Sequence, residues 1–133
     1  MKVFHMESAK DAKKTLRHSA LLSVVGAIFG EIADDPTATT SERQEQQQRW
    51  ALVMKHLPTW LDALPEQPPI KDAIKLRYGV ESPYQAQTFQ SIGNHMGKTR
   101  ERARQWVEKG LRMLRHNAYY MLQEHKRMHR ERS

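Results

Sequence analysis

The 133-residue sequence contains no cysteine, which excludes a disulfide framework, a thiolate metal site and a thiol nucleophile. It also lacks a long apolar run, because the stretch from Ala20 to Ala33 is too short to span a bilayer and includes Glu31. Charged residues precede this stretch and no small-residue cleavage pattern follows it, so we expect no signal peptide. These absences favour a cytoplasmic protein.

Signs of catalysis are lacking as well. The sequence has no phosphate-binding glycine loop, and Asp34 and Asp35, next to Pro36, are better explained as a helix-ending turn than as a catalytic pair. Among seven histidines, His125 and His129 have the spacing of a helical chelate, but a solvated basic segment explains them more simply. We therefore expect no enzyme activity, no cofactor and no metal site.

Positive charge is concentrated in one half of the chain. The net charge is +7 overall, with −1 in residues 1–66 and +8 in residues 67–133. Such an asymmetry indicates an anionic partner for the second half, nucleic acid or a membrane surface. A solvated basic face is the alternative explanation.

The predicted fold class is all-α, because apolar residues recur at helical spacing and no alternating strand pattern is found. We expect an N-terminal helical region (1–66) that binds a partner or acts as a scaffold, a helix-turn-helix domain (67–116) and a basic C-terminal helix or tail (117–133). The prolines at positions 65, 68 and 69 mark the boundary between the first two parts.

The N-terminal part is expected to be built from helices with an apolar face. Residues 8–32 predict one or two helices, and a further helix begins after Ser41 as its N-cap and is interrupted at Pro58. Trp50 and Trp60 lie at helical spacing among apolar residues, so we expect them to pack in the core.

Residues 88–115 are the most informative segment. Thr88 is suited to cap a short helix, and Gly97 suits the left-handed conformation of a sharp turn. Thr99 is suited to cap the next helix, in which apolar residues form a single stripe. Two helices joined by a tight glycine turn describe a helix-turn-helix, whose second helix places its N-terminal residues against base edges.

The side chains at the start of that second helix match the chemistry of base edges. Arginine pairs with guanine, glutamine pairs with adenine, and a carboxylate accepts from the cytosine amino group. The predicted base-reading residues are Arg100, Glu101, Arg104 and Gln105. The predicted phosphate contacts are Thr88, Thr99, Arg102, Lys109, Arg112 and Arg115, with tail contacts at Lys126, Arg127, Arg130 and Arg132. We expect Tyr119 and Tyr120 to pack against the helix-turn-helix. An ordinary amphipathic surface helix is the alternative.

Residues 88–115, TFQSIGNHMGKTRERARQWVEKGLRMLR, resemble region four of bacterial primary sigma factors. The family's pattern is approximately T-L-x-x-[IV]-G, three residues, then G-V-T-R-E-R-[IV]-R-Q-I-E-x-K-A-L-x-K-L-R. The chain matches it at Thr88, Ile92, Gly93, Gly97, Thr99, Arg100, Glu101, Arg102, Arg104, Gln105, Lys109, Leu111, Leu114 and Arg115. The preceding IKLRYGV is similar to the family's L-R-x-R-F-G-[IL], so the resemblance covers about residues 70–116. One departure is Gly110 in place of Ala, which is expected to weaken the helix by about 1 kcal/mol.

The resemblance implies that the base-reading residues recognise double-stranded DNA with a promoter-like −35 element, and that the domain docks on the flap of bacterial RNA polymerase. Residues 1–66 contain no motif for opening the −10 element, so we expect a regulator of a polymerase that another sigma factor has placed, with no membrane partner. By architecture the chain is similar to the Q-type antitermination factors of phages and prophages, which regulate late or lysis genes. A small alternative sigma factor and a polymerase-binding inhibitor or sigma decoy are the alternatives.

Overall fold

The computed structural model describes residues 16–29, 37, 39–81 and 85–132. Within these ranges the chain forms α1 (His18–Phe29), α2 (Thr40–Asp62), α3 (Ile70–Tyr78), α4 (Phe89–Met96) and α5 (Arg100–Arg132). The predicted all-α class is confirmed, since the described ranges contain helices and one isolated bridge between Leu16 and Glu81 but no strand. No helix among them is both long and apolar enough to cross a membrane.

Helix α1 buries the apolar stretch that the sequence singles out. Its buried residues are Ala20, Leu21, Val24, Val25 and Ile28, at the spacing of one helical face. The predicted beginning of a helix at position 8 and its continuation to position 32 lie outside the described residues. Arg17, just before α1, donates its backbone N–H to the carbonyl of Val80 at 2.8 Å. This hydrogen bond joins the entry to α1 with the exit from α3.

Helix α2 corrects two predictions. Its N-cap is Thr39 rather than Ser41, because Thr39 and Glu42 form a reciprocal capping box, each side chain accepting the other's backbone N–H at 3.1–3.2 Å. Pro58 does not interrupt the helix, which continues to Asp62. Burial of Leu57 and Leu61 on either side of the proline offsets the hydrogen bond that it removes.

One apolar cluster joins the helices on both sides of the proline-rich turn. Its buried members are Ala20, Leu21, Val24, Val25, Ile28, Val53, Leu57, Leu61, Leu64, Ile70, Ala73, Ile74, Val80, Val107, Leu114 and Ala118. Trp50 and Trp60 pack against it and are partly buried, as expected. The turn itself is held by Lys71, whose ammonium lies 3.2 Å from Glu66 and 3.7 Å from Asp62.

Helices α5 and α3 pack closely against each other at Gly110. A Cβ placed on Gly110 would lie 2.6 Å from Ile74 Cγ1 and 3.0 Å from Ile70 Cγ2, so a side chain there has no room. Both isoleucines are fully buried. Gly110 therefore lets the two helices approach, and the departure from alanine that looked unfavourable in the sequence has a packing reason.

Candidate nucleic-acid interface

The predicted turn between α4 and α5 is confirmed in detail. Thr88 is the N-cap of α4, and its hydroxyl accepts the N–H of Ser91 at 3.1 Å. Gly97 ends α4 in the left-handed conformation, with φ of 68°, and the N–H of Lys98 bonds to the carbonyl of Gly93 at 2.7 Å. Left-handed backbone at the end of a helix strongly favours glycine, so this residue determines where the chain turns.

A second glycine makes the turn tight. A Cβ on Gly93 would lie 2.8 Å from the carbonyl oxygens of both Lys98 and Thr99, which are backbone atoms that cannot swing aside. Thr99 then caps α5 by accepting the N–H of Arg102 at 3.1 Å. Behind the turn, Ile92 and Ala103 are completely buried together. These contacts fix the angle at which α5 leaves α4.

The four predicted base-reading residues all lie in the first two turns of α5. Arg100, Glu101 and Gln105 are exposed, and Arg104 is partly exposed. Arg104 donates to Glu101 and also forms an ion pair with Glu108 one turn further along. The structure therefore brings Glu101 and Arg104 together as an intramolecular pair.

These hydrogen bonds set the protonation of the pair. The Arg104 guanidinium holds the pKa of the Glu101 carboxyl below its ordinary value, because its hydrogen bond favours the charged carboxylate. The carboxylates of Glu101 and then Glu108 raise the pKa of Arg104 further, so both partners stay ionised at neutral pH. Three of the five guanidinium N–H donors of Arg104 are used in these bonds to carboxylates.

The other predicted base-reading side chains make fewer bonds within the chain. Gln105 accepts a hydrogen bond from Arg102 at 3.2 Å through its side-chain oxygen, which leaves the amide nitrogen of Gln105 for other partners. Arg100 is the first residue of α5 and lies exposed next to the turn. The exposed start of α5 thus offers a guanidinium, an amide and a carboxylate, which are the groups that distinguish base pairs in the major groove.

Apart from Arg102, which donates to Gln105, the predicted phosphate contacts divide into three groups. Thr88 and Thr99 lie at helix N-termini, where unpaired backbone N–H groups attract anions. Lys109 and Arg112 are exposed on α5. Arg115 is exposed but engaged within the chain, since its guanidinium donates to the carbonyls of Ile28 at 3.1 Å and Ala27 at 3.0 Å and so caps the C-terminus of α1.

The basic tail continues α5 without a break. Lys126, Arg127 and Arg130 are exposed, and Arg127 forms an ion pair with Glu124. Arg132 ends the helix, with its side chain outside the described part. The expectation that Tyr119 and Tyr120 pack against the helix-turn-helix is wrong, because each ring is 60% exposed. The neighbouring Ala118 is buried in the apolar cluster and Met121 packs against it, so the two tyrosines lie on the opposite, solvent-facing side of α5.

Two features of this surface were missed in the sequence. Glu108 was not recognised as a partner of Arg104, although its i,i+4 spacing on a helix is the signal that would have found it. Lys98 is exposed in the turn itself, where it adds a positive charge between the two helices. The described residues hold no group of three or more histidine, aspartate or glutamate side chains that could bind a metal ion.

The geometry defines a helix-turn-helix with an exposed second helix, the class of domain that binds DNA through the major groove. In comparisons with known proteins, residues 60–116 match the family described as Sigma-70, region 4. This segment is therefore similar to a DNA-binding, transcription-related domain that also interacts with RNA polymerase. No curated protein and no solved structure gave a match.

Proposed function

We propose that the chain is a sequence-specific DNA-binding transcription regulator that engages bacterial RNA polymerase, and more specifically a Q-type antiterminator or positive regulator of phage or prophage late or lysis genes. The observation that carries the proposal is the exposed start of α5, fixed by the capped turn at Gly97 and carrying Arg100, Arg104 and Gln105. The partners lie in the bacterial cytoplasm, where the protein acts beside the nucleoid.

DNA recognition in this proposal uses the first two turns of α5. Arg100, Arg104 and Gln105 supply donors for guanine and adenine, and Glu101 supplies an acceptor for cytosine. Glu101 and Glu108 hold Arg104 in the free protein, so the DNA competes with them. Exchange of one exposed ion pair for a guanine contact costs little, because such pairs contribute only about 0–1 kcal/mol in water.

Polymerase engagement is supported by the way the other helices pack. Helices α1 and α2 pack against α3 and the middle of α5 and leave the start of α5 exposed. The start of α5 can therefore contact DNA while other surfaces of the protein contact the polymerase flap and a sigma factor already bound to the polymerase. The positive second half then serves DNA, and the residues before position 67, with net charge −1, serve a protein partner.

The test is transcription in vitro with purified polymerase, with and without a sigma factor, on a template with the candidate promoter and a downstream terminator. We expect protection of one duplex site in footprinting, dependence on sigma factor and increased read-through of the terminator. If the protein does not change read-through of the terminator, the antiterminator proposal is refuted. Specific initiation with core polymerase alone instead identifies a small sigma factor.

A second candidate is a polymerase-binding inhibitor or sigma decoy that does not read DNA. The ion pairs of Arg104 with Glu101 and Glu108 favour it, because they occupy the central arginine of the reading surface. Arg104→Ala separates the two functions. A DNA reader loses about 1–3 kcal/mol at one base position, whereas a decoy retains its effect on polymerase.

A further inference from the structure

An aromatic cluster lies on the outer face of α5, beyond the helix-turn-helix. The rings of Tyr119 and Tyr120 meet edge to face with centroids 5.7 Å apart, and His116 meets Tyr120 in the same way at 4.6 Å. Both tyrosines are 60% exposed. Edge-to-face contacts hold the rings in place while leaving ring faces open to solvent.

These aromatics are too far along α5 to share the DNA groove with Arg104. Sixteen residues separate Arg104 from Tyr120, which is about 24 Å along a helix. The major groove is only about 12 Å wide, so a helix that inserts its first turns has left the groove before this point. The aromatic cluster therefore faces a ligand other than the bases of the same duplex.

The charges around the cluster are positive. Gln105, Arg112, Tyr119 and Lys126 recur every seven residues and are all exposed, so they form a nearly straight line along α5. Between Lys109 and Arg130 the sequence has six lysine or arginine residues and a single acidic one, Glu124. Lys126 also lines a cleft between α5 and α2, together with Glu45 and Arg49 of α2 and with Leu122, His125 and His129 of α5.

We propose that His116, Tyr119 and Tyr120 form a stacking platform for single-stranded nucleic acid. Bases stack on the exposed tyrosine rings, and Arg112 and Lys126, two helical turns away on either side of Tyr119, bind the backbone phosphates. Exposed aromatics between cations are the combination that binds single strands without sequence preference. A protein surface fits this face less well, since the cluster lies among positive charges that a strand neutralises along its whole length.

The platform is tested by fluorescence anisotropy with labelled single strands of about 12 nucleotides, one of RNA and one of DNA with the same sequence. The full-length double variant Tyr119→Ala/Tyr120→Ala is expected to bind the strand about fivefold or more weakly. Tyr119→Phe/Tyr120→Phe keeps the rings and is expected to bind like the original protein. The RNA and DNA arms show which strand the site accepts.

The controls separate this site from the DNA-reading surface. Met128 is 48% exposed and lies half a turn around α5 from Tyr119, so Met128→Ala is expected to leave strand binding unchanged. The alanine pair is expected to leave duplex binding unchanged, and Arg104→Ala is expected to leave strand binding unchanged. Alanine favours helices, and circular dichroism checks that the variants fold.

Three results would overturn the platform. The first is equal strand affinity of the alanine pair and the original protein. The second is an equal loss of duplex binding, which would place the tyrosines on the same duplex. The third is normal strand binding with lost polymerase binding, which would make the face a protein-docking surface. Because strand binding is measured without duplex or polymerase, failure of the proposed regulator leaves this test intact.

Discussion

Two helical glycines give opposite predictions for the same substitution. Gly26 lies in α1, where an added Cβ would meet only Trp50 Cη2 at 3.8 Å, an ordinary contact. Gly110 lies in α5, where the added Cβ would meet Ile74 Cγ1 at 2.6 Å and Cδ1 at 2.9 Å. Helix propensity alone predicts that glycine to alanine stabilises both helices by about 1 kcal/mol.

Packing reverses the sign at one of them. Gly26→Ala is expected to raise the free energy of unfolding by about 0.5–1 kcal/mol, because nothing opposes the gain in backbone entropy. At Gly110 the new methyl overpacks a filled interface, which typically costs about 1–3 kcal/mol. Ile74 is fully buried, and its Cγ1 is attached directly to Cβ, so this atom cannot move away without displacing its neighbours. We expect Gly110→Ala to lower the free energy of unfolding by up to about 2 kcal/mol after the propensity gain is subtracted.

The assay is urea unfolding monitored by circular dichroism, with stabilities extrapolated to water. The two single variants should differ by about 2 kcal/mol, which is well above the uncertainty of the comparison. Ile74→Val removes one of the two contacting carbons, so adding it to Gly110→Ala should cost less than the sum of the single effects. An equal stabilisation by Gly26→Ala and Gly110→Ala would refute the close approach of α3 and α5.

Other outcomes follow from the contacts around α5. Glu108→Gln removes one of the two carboxylate partners of Arg104 and a negative charge from the predicted reading surface. Duplex affinity measured by anisotropy should therefore rise, and more at low salt; an unchanged affinity would show that the ion pair does not compete with DNA. The Glu101 carboxyl should titrate below its ordinary value of 4.5 in an NMR experiment and return toward it in Arg104→Gln. Because the folded-state pKa of Glu101 is lowered, the stability from this pair is present above the ordinary range and is lost as pH falls through the lowered pKa. Arg115→Ala should lower the free energy of unfolding by about 1–2 kcal/mol, and Arg115→Lys should lower it by less. Unchanged stability together with a reduced salt dependence of DNA binding would instead support the predicted phosphate contact of Arg115. Gly93→Ala should disrupt the turn and abolish duplex binding, and normal binding would contradict the tight turn.

The accuracy of the prediction from sequence differs from one helix to another. The capped turn between α4 and α5 was predicted correctly, because threonine caps and a left-handed glycine are local signals. Helix α2 was predicted less well, since Thr39 competes locally with Ser41 and the tolerance of Pro58 depends on burial against other helices. Local signals cannot weigh a lost hydrogen bond against a core that forms only in the folded chain.

The exposed start of α5 was likewise predicted only in part. The sequence identified Arg100, Glu101, Arg104 and Gln105 as neighbours at the start of a helix, because spacing along a helix is known in advance. It did not reveal that Glu108 forms an ion pair with Arg104. The two residues are close in sequence, but several charge pairings are possible on one helix. Which pair forms depends on the rotamers of the folded helix.

The sequence by itself determined the helical class, the glycine turn and the concentration of positive charge after residue 66, since each depends on residue type and spacing alone. Only the tertiary structure decided that Gly110 and Arg115 make close contacts within the chain and that Tyr119 and Tyr120 are exposed. These features depend on which surfaces of α5 meet α1 and α3 and which stay in solvent. Such contacts join residues far apart in the chain, and local spacing carries no information about them.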